Sequence, residues 1–160
     1  MRRRKQRRVR LLICLPVIAA IGIVLVHFAV GWAHREICMV RIAVLGKALV
    51  GYTPRNNGKF PSPDKWCDVL LEAVPNAEEK WFQCPAAGKG RCHYAMNPNA
   101  DPNSSHDTVL LFETKAGWNQ FGGPELLTTD HHQGKGANIA FVGTGAKFVK
   151  TDELDELKWK

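Results

Sequence analysis

The chain has 160 residues, with 22 Lys+Arg against 15 Asp+Glu and a formal net charge of +7. That length allows one ordinary domain with short appendages, and the basic excess raises nucleic-acid binding as a first hypothesis. Placement of the charge removes it: seven basic residues fall within Met1–Arg10, and setting them aside leaves 15 against 15. No basic surface is left for the folded part, so no nucleic-acid partner is expected.

The first ten residues hold no acid, and the next 23, residues 11–33, hold no Asp, Glu, Lys or Arg. A run of 18 or more apolar residues can cross a ~30 Å hydrocarbon core as a helix, and Lys/Arg clusters stay on the cytoplasmic side. The pattern predicts a cytoplasmic basic segment over 1–10 and a single transmembrane helix over 11–33. The remainder would then lie on the extracytoplasmic side of the membrane, with the lipid bilayer as first partner. A cleaved signal peptide has a shorter apolar core of ~7–15 residues, and Gly31-Trp32-Ala33 is a poor cleavage site. Pro16 falls in the first helical turns, where a missing backbone donor is tolerated, and His27 near the far interface.

Beyond the span, Ile37, Val40, Val44 and Ala48 recur at helical spacing beside Leu45, Leu49 and Tyr52, predicting a helical stem over 34–53 with a broad apolar face. Pro54 and Asn56-Asn57-Gly58 end it. Residues 54–160 then form the domain proper. Trp66, Leu70 and Val74 share one face of a short helix, and Met96–Ser105 is a polar loop. Thr108–Phe112, Asn138–Val142 and Ala146–Val149 read as strands, the last two joined as a hairpin by Gly143-Thr144-Gly145. Asp152 caps a final short helix. The expected class is α+β, a transmembrane helix continuing into a stem packed on a small antiparallel sheet.

Five cysteines are present, with Cys14 in the span and Cys38, Cys67, Cys84 and Cys92 beyond it. Four cysteines allow three complete pairings. Cys84 and Cys92 enclose a short loop with two glycines and are the favoured disulfide. No C-x2-C knuckle points to zinc there.

Asp130, His131 and His132 lie together, and His106, Asp107 and Glu113 could approach them. Adjacent histidines point in different directions in extended chain, and no H-E-x-x-H spacing occurs. No metal ion or other cofactor is therefore expected, and His132 is read as capping or hydrogen-bonding the hairpin. No G-x-S-x-G is present, and Gly134-Lys135-Gly136 precedes a strand instead of linking strand to phosphate-binding helix. No catalytic residue is assigned. The alternative is a membrane-anchored metal-binding module or hydrolase using Asp130-His131-His132. Among the five tryptophans, Trp118, with Asn119 and Phe121 in a Gly-flanked loop, is the contact candidate.

Several segments together resemble the pseudopilin-like proteins of type II secretion and type IV pilus systems, in the group with a His, nine residues, then Asp-Gly near the carboxyl end. They are Leu45-Gly46-Lys47-Ala48-Leu49, Asn57-Gly58-Lys59-Phe60-Pro61, Phe82-Gln83-Cys84-Pro85, Tyr94-Ala95-Met96-Asn97 and Asp130–Gly143. His132, Asn138, Phe141 and Gly143 are the motif positions. Val142 stands where the family has Asp, and Val9-Arg10-Leu11-Leu12 stands where processed members carry a Gly-Phe-Thr-Leu-Ile-Glu type site. The resemblance implies a non-catalytic, anchored assembly or recognition component of a bacterial inner membrane, its domain periplasmic, with secretion or pilus machinery subunits as partners. A stand-alone anchored domain that has left secretion is the other form such a chain could take.

Overall fold

The computed structural model describes residues 2–160, with side chains from Val17 onward. The side chains of the basic segment, Cys14 and Pro16 lie outside the described residues. Two compact units divide the chain, Met1–Ala33 and His34–Lys160.

Helix α1 covers Arg2–Tyr52. In the first unit every side chain from Val17 to Trp32 is exposed, and the helix reaches a mean hydropathy of 2.0 with none of that window buried. It is long and apolar enough to cross a membrane, a property that anchors and signal sequences share. His27 adds no unsatisfied donor there, because its Nδ1–H reaches the Ile23 carbonyl at 2.9 Å.

In the second unit the stem portion of α1 meets a four-stranded sheet. The strands are β1 (Cys92–Met96), β2 (Val109–Gly117), β3 (Gly136–Phe141) and β4 (Ala146–Lys150). They pair antiparallel in the order β1-β2-β3-β4. Cys38, Ile42, Leu45 and Leu49 are at most 2% exposed. Their spacing of four, three and four puts them on one side of a 3.6-residue turn. The approach is close, since a Cβ on Gly46 would lie 3.2 Å from that of Ala140 in β3. The broad apolar face expected of the stem is therefore split: Ile37, Val40 and Val44 stay outside the core at 42, 59 and 39% exposure.

Helix α2 (Trp66–Ala73) joins the same apolar cluster through Trp66, Cys67 and Leu70, with Phe82, Tyr94 and Met96. The opposite sheet face buries Ala95, Val109, Phe112, Ile139 and Val149 under Leu126, Leu127, Leu154 and Trp159. Both faces being covered explains β1, whose five residues are all buried and which therefore lacks the alternation by which a half-exposed strand is read. The β3–β4 hairpin turns at Thr144, with φ 65° and its N–H on the Phe141 carbonyl at 3.0 Å. Gly136 opens β3 at φ 152°, where any Cβ would collide with the Val149 carbonyl. The tail forms the expected short helix as a 3-10 helix over Thr151–Glu156, with Lys150 instead of Asp152 at its N-cap. Val142 is buried among apolar side chains.

The disulfide joins Cys38 to Cys84, with Cα atoms 4.8 Å apart. This corrects the Cys84–Cys92 expectation. Loop length is not what decides the pairing: Cys84 sits against the stem, whereas Cys92 opens β1 beside Cys67 of α2.

Candidate functional site

The motif positions His132 and Asn138 converge on one buried carboxylate. Phe112 pairs with Ile139 across β2 and β3, so the next residue of β2, Glu113, falls beside Asn138. Glu113 is fully buried. It accepts the Asn138 N–H at 2.9 Å and the Asn138 Nδ2–H at 3.0 Å. The third donor is His132 Nε2–H at 3.0 Å, delivered by a 3-10 turn over Asp130–His132 that closes on Gln133 in the left-handed region. A buried carboxylate costs several kcal/mol unless its oxygens are filled by such donors.

The cluster also ties in the stem. Asn138 Nδ2 lies 3.4 Å from the Arg35 carbonyl, and the Arg35 guanidinium stacks on Phe148 of β4, 4.9 Å from the ring centre. The His132 ring meets the same phenyl edge-on at 5.5 Å. Motif positions Phe141 and Gly143 do not enter this cluster. Phe141 lies against the opposite-face core, and Gly143 donates its N–H to the His106 carbonyl at 3.0 Å.

The three residues proposed as a metal cluster are dispersed. Asp130 is exposed. His131 Nε2–H donates to the Thr114 carbonyl at 2.8 Å, and its ring stands edge-on to His93 at 5.6 Å. His106 and Asp107 do not join either, Asp107 pairing with Lys158 at 3.1 Å. Among the described residues, the side chains close enough to share an ion are Cys38, Cys84, Glu113 and His132, with ligand atoms within 4.8 Å of one another. Two sulfurs, an imidazole and a carboxylate would suit zinc. Both sulfurs are committed to the disulfide, however, and the carboxylate to its three donors, so the group as it stands is a covalent and hydrogen-bonded joint.

His93 belongs to the rim of this joint. Its Nδ1 accepts the Cys84 N–H at 3.1 Å, and burial, then the neighbouring His131, hold its pKa below the ordinary 6.5. Only the neutral ring can accept that bond.

The contact loop presents a second cluster. Asn119, at φ 53°, accepts the Cys67 and Asp68 N–H groups at 2.8 and 3.4 Å. Those are donors of the first turn of α2, so Asn119 caps that helix from a distant loop. Trp118 Nε1–H donates to Asp68 at 2.7 Å, and its ring lies under the Arg91 guanidinium at 3.6 Å. Asp68 titrates below its usual range, first because of Trp118 and then Asn119. Trp118 and Asn119 are thus engaged within the domain, leaving Phe121 exposed at 48%.

No family model, curated protein or solved structure matches the chain. The sequence alone places Glu113 only among groups able to approach the histidines and carries no signal for Arg35 or Phe148. A Glu directly after the apolar run Val109–Phe112 was the available signal for a buried carboxylate.

Proposed function

We propose that the chain is a membrane-anchored, non-catalytic, pseudopilin-like subunit that acts by assembly or recognition alongside secretion or pilus machinery. Residues 11–33 cross the bacterial inner membrane, the basic segment lies in the cytoplasm, and the domain lies outside. The observation carrying this reading is the unpacked side of the stem. Among the described residues after Ala33, the exposed large hydrophobics are Ile37, Val40, Val44 and Phe121. The first three fall at i, i+3 and i+7 along one helix face, and exposed Lys47 closes the stripe. Full burial of such a side chain is worth roughly 1.5–3 kcal/mol. A stripe of this spacing suits the apolar face of another helix.

A photo-reactive side chain at Val40, in the full chain in native membranes, tests the reading. The expected result is covalent adducts with other pseudopilin, platform or secretion-ATPase subunits, with none from the same probe at exposed Lys115. Adducts to lipid alone would overturn assembly and favour a stand-alone anchored domain.

A further inference from the structure

The sulfur atoms of Cys67 and Cys92 lie 3.9 Å apart, and both residues are fully buried. One sits in the first turn of α2, the other at the start of β1. Neither belongs to the cluster around Glu113. The Tyr94 backbone touches the Cys92 sulfur, its carbonyl 3.3 Å and its N–H 3.4 Å from Sγ, and the Asn119 backbone reaches the Cys67 sulfur. The domain already holds one disulfide, so a chain that forms it has met an oxidant while these thiols were also available.

We propose that Cys67 and Cys92 are a second oxidation site and are joined as a disulfide in the mature protein. The oxidant is the disulfide of a thiol–disulfide oxidoreductase. One cysteine thiolate attacks that disulfide, forming a mixed disulfide and releasing one oxidant thiol; the second cysteine then attacks the mixed disulfide. The Cys67–Cys92 bond forms, and the oxidant leaves as a dithiol carrying the two electrons and two protons. Burial raises the Cys67 pKa, with the neighbouring Cys92 adding to it, so little thiolate exists in the closed fold. Pairing accordingly takes place before α2 settles on β1.

The two bonds would interlock in sequence, because Cys67 lies between Cys38 and Cys84 and Cys92 lies beyond them. Stem, α2, the loop before β1 and β1 itself would become one cross-linked body. The bond would also use all four cysteines beyond the apolar run.

The test uses the full chain from native membranes, denatured without reductant in excess maleimide, digested and read by peptide mass spectrometry. The expected result is a linked Cys67–Cys92 peptide with little or no maleimide on either residue. Complete labelling of both, or a Cys84–Cys92 peptide, overturns the proposal. The state of Cys38 and Cys84 in the same digest shows whether this pair or the compartment is responsible, which separates this failure from failure of the membrane-orientation reading. In Cys67→Ser, Cys92 should become fully labelled while the Cys38–Cys84 peptide persists; an unlabelled Cys92 in that variant also overturns the pairing.

Discussion

Two polar clusters hold this domain together, and they differ chiefly in how much water reaches them. Around Glu113, a carboxylate with no solvent exposure gathers Asn138, His132 and, through Asn138, the stem carbonyl of Arg35. Around Asp68, an exposed carboxylate gathers Trp118 and Asn119, with Arg91 stacked over the indole. Donor types and distances are similar in both. The buried cluster has no water to replace a lost partner, whereas the exposed one does, so similar geometry carries very different energy.

The largest effect should come from breaking the buried cluster. Glu113→Ala removes the common acceptor and leaves the Asn138 amide and His132 unsatisfied, for a loss of about 3–5 kcal/mol of stability. Glu113→Gln keeps an oxygen for Asn138 and should lose clearly less. Urea unfolding of the two variants, with unchanged slope, checks the order. Equal losses would mean that the contribution is packing and not the hydrogen-bonded carboxylate.

Acidification should act on the same joint through His93. Its folded pKa lies below the ordinary 6.5, so the unfolded chain binds the proton first and stability falls as pH drops from about 6.5 toward the folded pKa. Above that window the group contributes no pH dependence. Thermal melting from pH 8 to pH 5 should show the fall in the natural chain and a shallower one in His93→Gln; parallel curves would remove His93 as the cause.

The contrast between the clusters also marks what the sequence can reveal. The apolar run and the stem are legible because composition and a 3.6-residue period are local properties, and β2, β3 and β4 contain the apolar, β-branched runs of strands. Strand β1 is not, since Cys92-His93-Tyr94-Ala95-Met96 is buried throughout and carries no alternation. His132 and Asn138 are visible as motif positions. Their meeting with Glu113 depends on the β2–β3 register, a tertiary property that puts residues 19 and 25 positions apart into contact. The Cys38–Cys84 bond, across 46 positions, is hidden for the same reason, and loop length misdirects to Cys92.

Asn119→Ala should have the intermediate effect. It removes the acceptor for two first-turn donors of α2 and places a Cβ residue less suited than Asn at positive φ. The expected loss is about 1 kcal/mol, typical of a helix cap, read by urea unfolding. Asn119→Gly relieves the backbone term alone, so a Gly variant as weak as Ala assigns the loss to the cap, and a Gly variant at full stability assigns it to the backbone.

The smallest effect belongs to Asp68, and pH isolates it. Its folded pKa is lowered beneath 3.8 by the Trp118 and Asn119 donors. The stabilisation is thus present above about pH 3.8 and is lost as pH falls through the folded pKa. Asp68→Ala should melt slightly below the natural chain at neutral pH, and the two curves should converge under strong acid. Added salt should narrow the neutral-pH gap, because an exposed carboxylate and the nearby Arg91 charge are screened. Salt should leave the loss caused by Glu113→Ala largely unchanged, since ions do not reach that carboxylate. A gap at Asp68 that resists both acid and salt would show that its contribution comes from helix packing, and the difference between the two clusters would then not be one of solvent access.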